Sequence, residues 1–325
     1  MGRVLLIPPA YQGDHLDGDY ETVLWAASAS RSEHELVHDP SRADVLLFVG
    51  SRDRLYADVR QHPYALQYPR KVVVYDSSDW FIPLLPGIYP SLTRRLRLGR
   101  SILGGHYLRW SKASEITEAQ AELEGGPYLF GFTGDASNHP LRRQILRLQD
   151  DRANIRDTRS ELGRAEGQVE AVYSSYKRRY ANDLRSAKFI LCPRGMGSGS
   201  IRLYEAMRAG RVPVIISDGW VPPLGPNWSA FSIRVREASV ENLPRLLRAR
   251  EGDAARMGRV ARDQWNMWFA PDRAFDVLGT WALRAGARRR RVELTSQVRA
   301  LLGLLSPNGY RWVVRPWLRR GLRLH

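Results

Sequence analysis

The chain has 325 residues, 43% of them hydrophobic and 26% charged, with a formal net charge of +16. That length allows two domains of roughly 100–200 residues each, and the balance of apolar and charged residues excludes a disordered chain. No apolar run reaches the roughly 18 residues of a membrane-spanning helix; the lone Cys192 excludes an internal disulfide and fits a reducing, cytoplasmic compartment.

In chain order, Val4 to Ile7 reads as a buried strand. A single basic residue precedes it and prolines follow at once, which sets it apart from a signal peptide. Asp19 to Ala29 is expected to be a helix. His34-Glu35-Leu36-Val37-His38 matches the H-E-x-x-H zinc pattern. That chemistry needs a helix to bring both imidazoles to one face, and Pro40 with its strand-like surroundings predicts a short strand instead. Ala43 to Gly50 and Lys71 to Tyr75 are further apolar, β-branched runs, the mark of a parallel sheet covered on both faces.

The pattern then restarts after a connecting helix expected over Ser111 to Glu124. Strands are expected at Tyr128–Phe132, Lys188–Cys192 and Pro213–Ile216. Helices are expected at Pro140–Gln149, Val169–Ser186 and Ser200–Ala209, with more helices over Asn242–Arg284. The fold class is therefore α/β, two doubly wound, Rossmann-like lobes with a cleft between them. The expected boundaries are 1–115 for the first lobe, 116–284 for the second and 285–325 for a basic helical tail. In the tail, Glu293 to Leu305 is expected to be helical. From Arg284 onward eleven arginines face one acid, Glu293. Nucleic acid is the first partner such charge suggests, but no zinc-finger, RNA-recognition or zipper pattern accompanies it. An anionic membrane surface on the cytoplasmic side, an anionic glycan or a diphosphate satisfies it equally well.

The stretch with most chemical content is Lys188 to Asp218. A buried strand ends at Cys192-Pro193, a glycine-rich loop runs from Gly195 to Gly199, and Ser200 is a suitable N-cap for the next helix. Glycines let a backbone approach a ligand closely. A helix start offers free N–H groups and a positive dipole end. Arg194 and Arg202 add fixed charge, so the pattern suits a diphosphate without a metal. Glu205 lies one turn in, where its carboxylate is a candidate for ribose hydroxyls, with pairing to Arg202 or Arg208 as the structural alternative. Asp218 sits at the C-terminal end of a strand, where ligands bind in such sheets. Cys192 beside it reads as a small buried hydrophobe.

The run from Phe189 to Asp218 carries S-x-R-x-x-E-A at Ser200–Ala206 and G-x-V-P-V-I-I at Gly210–Ile216, and continues into Trp220-Val221-Pro222-Pro223 and Asn227-Trp228-Ser229. With Leu129 to Gly134, Arg142-Arg143 and Pro86-Gly87-Ile88-Tyr89, it resembles the exostosin-type glycosyltransferases, most strongly over about 128–270. The resemblance implies a GT-B architecture and metal-independent, inverting transfer from a nucleotide-diphosphate sugar, a UDP-sugar first, to a glycan or glycoconjugate acceptor. No cofactor is expected, the nucleotide-sugar being a substrate. It implies that Arg194, Ser200 and Arg202, with Gly199, hold the diphosphate and Glu205 the ribose, that Gly131 to Gly134 form a second donor-facing loop, and that Arg142 stands behind it. The chain lacks room for the second catalytic domain of the animal polymerising members, which favours a single transfer.

Inverting transfer also needs a base for the acceptor hydroxyl. Candidates are Asp79 and the pair Asp14 and His15, each after a first-lobe strand, with Asp135 a further acid in the second lobe. Asp14 and its neighbours have loop capping as their structural alternative. Tyr89 is either an aromatic that stacks on an acceptor or a packing anchor.

Overall fold

The structure is a computed structural model that describes residues 1–8, 18–29, 32–79, 83, 85–97, 99–108, 116, 126–159 and 170–288. The chain divides into two compact units. One holds Met1–Gly105, Val221–Leu224 and the chain from Ala274 as far as it is described; the other holds His106–Trp220 and Gly225–Arg273. Asp14, His15, the tail helix over Glu293 to Leu305 and all but Ile116 of the connecting helix up to Gly125 lie outside the described residues.

The first unit is built on six parallel strands: β1 (Arg3–Ile7), β2 (Glu35–Leu36), β3 (Val45–Gly50), β4 (Val72–Asp76), β5 (Gly87–Tyr89) and β6 (Ile102–Gly104). Their order is β2-β1-β3-β4-β5-β6. The apolar runs of β3 and β4 are buried along nearly their whole length, as strands covered on both faces must be. The H-E-x-x-H segment is the edge strand β2, which pairs with Arg3 and Val4. His34 accepts from the Gly2 N–H through Nδ1 and meets the Thr280 hydroxyl through Nε2. Among the described residues, this part of the chain carries the helices α1 (Gly18–Ala29), α2 (Arg52–Gln61) and α3 (Pro63–Gln67).

The second unit carries β7 (Tyr128–Gly134), β8 (Ala153–Asp157), β9 (Ala187–Pro193), β10 (Val212–Ile216) and β11 (Ile233–Arg234), again all parallel, in the order β11-β10-β9-β7-β8. Between them run α4 (Pro140–Ile145), α5 (Glu170–Arg185), α6 (Ile201–Arg208) and the single turn α7 (Trp228–Phe231). A 3-10 segment over Glu237–Asn242 then leads into α8 (Leu243–Arg248) and α9 (Ala254–Trp268). Its core joins Phe130, Phe132, Phe189, Leu191, Val214 and Ile216 from the sheet to Val240, Leu243 and Met257 from the helices.

The boundaries differ from expectation at the C-terminal side. Helix α10 (Ala274–Ala287) packs on β3 to β6 and on α1, so it belongs to the first unit rather than to a second lobe ending at 284. Phe275, Leu278, Trp281 and Ala282 supply its apolar stripe, and Trp281 is 2% exposed. Asp276 accepts from the Glu33 N–H (2.9 Å) and the Ser32 hydroxyl. A helix with so wide an apolar face joins whichever sheet it covers, and chain order does not reveal which that is.

Candidate functional site

In both sheets the chain reverses direction across the strand order, between β1 and β3 in one and between β7 and β9 in the other. At such a switch point the loops leave on opposite faces and open a crevice at the strands' C-terminal ends, where ligands of doubly wound sheets bind. In the second unit the crevice is visible in the register. β7 and β9 pair only as far as Gly131 opposite Ile190, whereas β7 follows β8 to Gly134 and β9 follows β10 to Pro193.

Arginines fill the gap. Arg202, on the first turn of α6, is 7% exposed, and its Nη2 donates to the Thr133 carbonyl at 2.6 Å, an acceptor that β9 no longer reaches. Its guanidinium lies over the Phe132 ring, 4.7 Å from the centroid. A Cβ on Gly134 would stand 2.2 Å from Nη2, so the glycine is what admits the guanidinium. Nε and Nη1 are buried with no hydrogen-bond partner among the described residues. Burial alone would lower the Arg202 pKa, but neighbouring side chains, the Glu205 carboxylate among them, outweigh it and leave it raised.

Arg142, on α4, ties the two loops together. Its Nε donates to the Arg194 carbonyl at 3.1 Å and its Nη1 to the Asp135 carbonyl at 2.9 Å. Arg194 follows β9, its N–H bound to the Ile216 carbonyl at 3.0 Å, and its Nη1 lies 3.9 Å from Glu237 Oε1. Gly195 leaves room for Arg142, whose Nη2 would be 2.9 Å from an added Cβ. Ser200 occupies the N-cap position of α6 with an extended backbone, but its hydroxyl makes no capping bond. Gly199 is buried in the loop before it. At the far end α6 closes in a Schellman pattern: Gly210 adopts φ +66°, its N–H goes to Met207 and the Arg211 N–H to Ala206. The Gly210 carbonyl in turn sits where a Cβ on Gly258 of α9 would reach it, at 2.3 Å, which fixes α6 against α9.

Glu205 is 4% exposed and accepts a hydrogen bond from the hydroxyl of Tyr180, on α5. Burial, then the Glu205 carboxylate, push the Tyr180 phenol well above its ordinary pKa, so it stays the donor of that bond. Tyr176, one turn away, stacks on Tyr180 at 6.4 Å. The carboxylate expected to hold a ribose is thus buried and takes the phenol of a residue on α5 as a donor. Asp218 is exposed and exchanges bonds with Glu237: the Glu237 N–H donates to its carboxylate at 3.1 Å, and its own N–H donates to Glu237 Oε1 at 3.0 Å. Asp135 accepts from the N–H and hydroxyl of Ser137 and caps its own turn. Cys192 is buried with its thiol raised to about 12 by burial.

In the first unit, Asp79 follows β4, is half-buried and accepts from the Ser91 hydroxyl at 3.0 Å. Asp76, at the end of the same strand, is fully buried and accepts from the N–H and hydroxyl of Ser78. Tyr89 is corrected to a packing anchor: it belongs to strand β5, is 0% exposed, and donates its hydroxyl to the Leu85 carbonyl at 2.8 Å. A ring with no accessible face has nothing to stack on an acceptor. Tyr176 and Tyr180 escaped notice in the sequence. Their i, i+4 spacing on an expected helix marked one shared face, but not that the face lies against Glu205.

Residues 117–250 match the family model of the exostosin GT47 domain. The chain is 44% identical over 69 residues to a probable glycosyltransferase of Arabidopsis thaliana, a stretch covering 21% of this chain and 13% of that protein. It is 24% identical over 290 residues to exostosin-1 of Mus musculus, covering 76% of this chain and 38% of that protein. The chain thus spans well under half the length of these curated relatives. Among solved structures, WaaG, a glycosyltransferase involved in lipopolysaccharide biosynthesis, aligns at 12% identity over 85% of this chain and 99% of that one, with a TM-score of 0.38. Over residues 117–250 the chain is thus similar to the exostosin GT47 domain, and its relatives in this comparison are exostosin-type glycosyltransferases.

Proposed function

We propose that the chain transfers a glycosyl group from a nucleotide-diphosphate sugar, a UDP-sugar as first candidate, to a hydroxyl of a glycan or glycoconjugate acceptor, with inversion. The observation that carries this is the convergence of Arg142, Arg194 and Arg202 with a glycine-rich loop and the start of α6 at the switch point of one parallel sheet. Buried guanidinium donors left unpaired cost free energy until an anion or water meets them.

In the reaction, the acceptor oxygen forms its bond to the anomeric carbon as the bond from that carbon to the diphosphate oxygen breaks. The electron pair leaves with the diphosphate, and the acceptor proton passes to a base. The leaving group gains charge in the transition state, and Arg194 with the loop N–H groups supplies donors that need little reorganisation to receive it. Such fixed cations take the part a divalent metal plays elsewhere, so transfer is expected to persist in chelator. Arg142 acts by holding the Asp135 and Arg194 loops together. Asp79 is the candidate for the base among the described residues, and Asp14 and His15 are the alternatives.

Turnover of a panel of nucleotide-sugars by the purified protein, with melting temperature read in parallel, tests the proposal. A nucleotide that binds only the native state raises the melting temperature, by about 2.7 kcal/mol of stability at a concentration 100 times its Kd. No shift with any nucleoside diphosphate contradicts it. A shift without turnover or donor hydrolysis leaves a binding subunit of the same fold.

A further inference from the structure

Different helices cover the two faces of the first sheet. Leu5, Val72 and Val74 join Leu55 and Val59 of α2 in one core. Side chains alternate along a strand, so Val4 and Val73 point the other way. There they meet α10: carbons added at Gly279 and Gly286 would stand 3.4 and 3.7 Å from them. Helix α1 packs on α10 and, like it, on β3. The two helices therefore lie side by side on that face, and their outward stripes form one surface of the unit.

The makeup of that surface is unusual. Helix α1 turns Val23 and Ala26 inward, both 0% exposed. Its outward stripe, at helical spacing, runs through Gly18, Glu21, Leu24, Trp25 and Ser28. Leu24 is 40% exposed and Trp25 53%. A surface helix ordinarily gives such positions to polar side chains, whereas the middle of α1 is apolar on both sides. On α10 the exposed stripe is Thr280, Arg284, Ala287 and Arg288. Glu21 is the one acid on the two described stripes. In the sequence, three more arginines follow Arg288, and from Arg284 onward eleven arginines face one acid, with Trp312 and Trp317 among them.

An exposed apolar pair beside a run of cations suits an anionic bilayer. Leu and Trp side chains enter the boundary between headgroups and acyl chains, and guanidinium groups meet the lipid phosphates. Trp favours that depth because its ring is apolar and its N–H polar. A nucleic acid would use the arginines but give Leu24 nothing to do.

We propose that the α1 and α10 face of the first unit, with the arginine-rich sequence that follows it, docks on the surface of an anionic lipid bilayer. This inference is independent of the donor reading above.

Co-sedimentation of the full chain tests it, with vesicles of phosphatidylcholine alone and of equal parts phosphatidylcholine and phosphatidylglycerol. Wild type is expected to sediment with the anionic vesicles only, and to be released as salt rises. Leu24→Ser with Trp25→Ser should lower the partition coefficient about tenfold or more. Arg284→Gln with Arg288→Gln should lower it about fivefold for each charge removed. Circular dichroism checks that each pair leaves the fold intact, and each pair reports without the other. Wild type that sediments with neither vesicle, or equally with both, overturns the proposal. So does binding to anionic vesicles that neither pair weakens, since the contact then lies outside this face. Wild type that binds a DNA duplex and ignores the vesicles overturns it in favour of nucleic acid.

Discussion

The two parallel sheets share one topology up to the switch point and carry opposite chemistry at their strand ends. After β4 in the first unit the chain presents carboxylates, Asp76 and Asp79, held by serine hydroxyls. After β7 and β9 in the second it presents arginines held by carbonyls. The same backbone geometry can therefore supply a proton acceptor or an anion site, and side chains at the strand ends decide which. On the proposed function, unit one would take the proton from an acceptor and unit two would hold the leaving diphosphate.

Substitutions on the two sides should separate turnover from nucleotide affinity. The largest expected effect is on turnover: with Asp79→Asn, Asp14→Asn and His15→Ala made singly, one is expected to lower kcat by about 10²–10⁴-fold while UDP affinity stays unchanged. Steady-state kinetics beside calorimetry checks this, and equal loss of affinity breaks the division. In the second unit, Gly134→Val drives a side chain into the Arg202 guanidinium, 2.2 Å from the first added carbon. UDP affinity should then fall by about tenfold or more, of the order of one lost charge-assisted bond, with the circular dichroism spectrum retained. Tyr180→Phe strips a buried carboxylate of its phenol donor and should cost about 1–3 kcal/mol in urea unfolding.

The smallest effect is one of pH. Hydrogen bonds from Arg152 and then Lys188 depress the Glu251 carboxyl to about 2. A depressed carboxyl contributes stability above its unfolded pKa of about 4.5 and loses it as pH falls toward 2. Because the pair is partly exposed, the contribution is at most about 1 kcal/mol. Melting temperature in Glu251→Gln should therefore fall less steeply than in wild type between those values.

Much of the fold was legible in the sequence, and the reasons differ by element. Continuous β-branched runs announced β3, β4, β9 and β10, because a strand buried on both faces leaves no polar alternation. The three-residue strands β5 and β6, and β8 with its Asn154, Arg156 and Asp157, give no such run. Their pairing comes from neighbouring strands. Arg194 was legible because a glycine-rich loop beside arginines suggests an anion without any coordinates, whereas Gly134 and Arg142 were legible only through the family resemblance. Glu205 and Tyr89 were not, since the side chains that enclose them come from elsewhere in the chain: Tyr180 for the first, and for the second a buried cluster in which Tyr56 Oη approaches Tyr89 Oη at 3.5 Å.

The proposed function depends above all on the arginine corner of the second unit gripping the diphosphate of the donor. Titration of UDP into wild type and Arg194→Ala tests it most directly. Wild type is expected to bind, and the variant to lose about tenfold to a hundredfold in affinity with no change in its circular dichroism. UDP affinity that survives Arg194→Ala intact contradicts it.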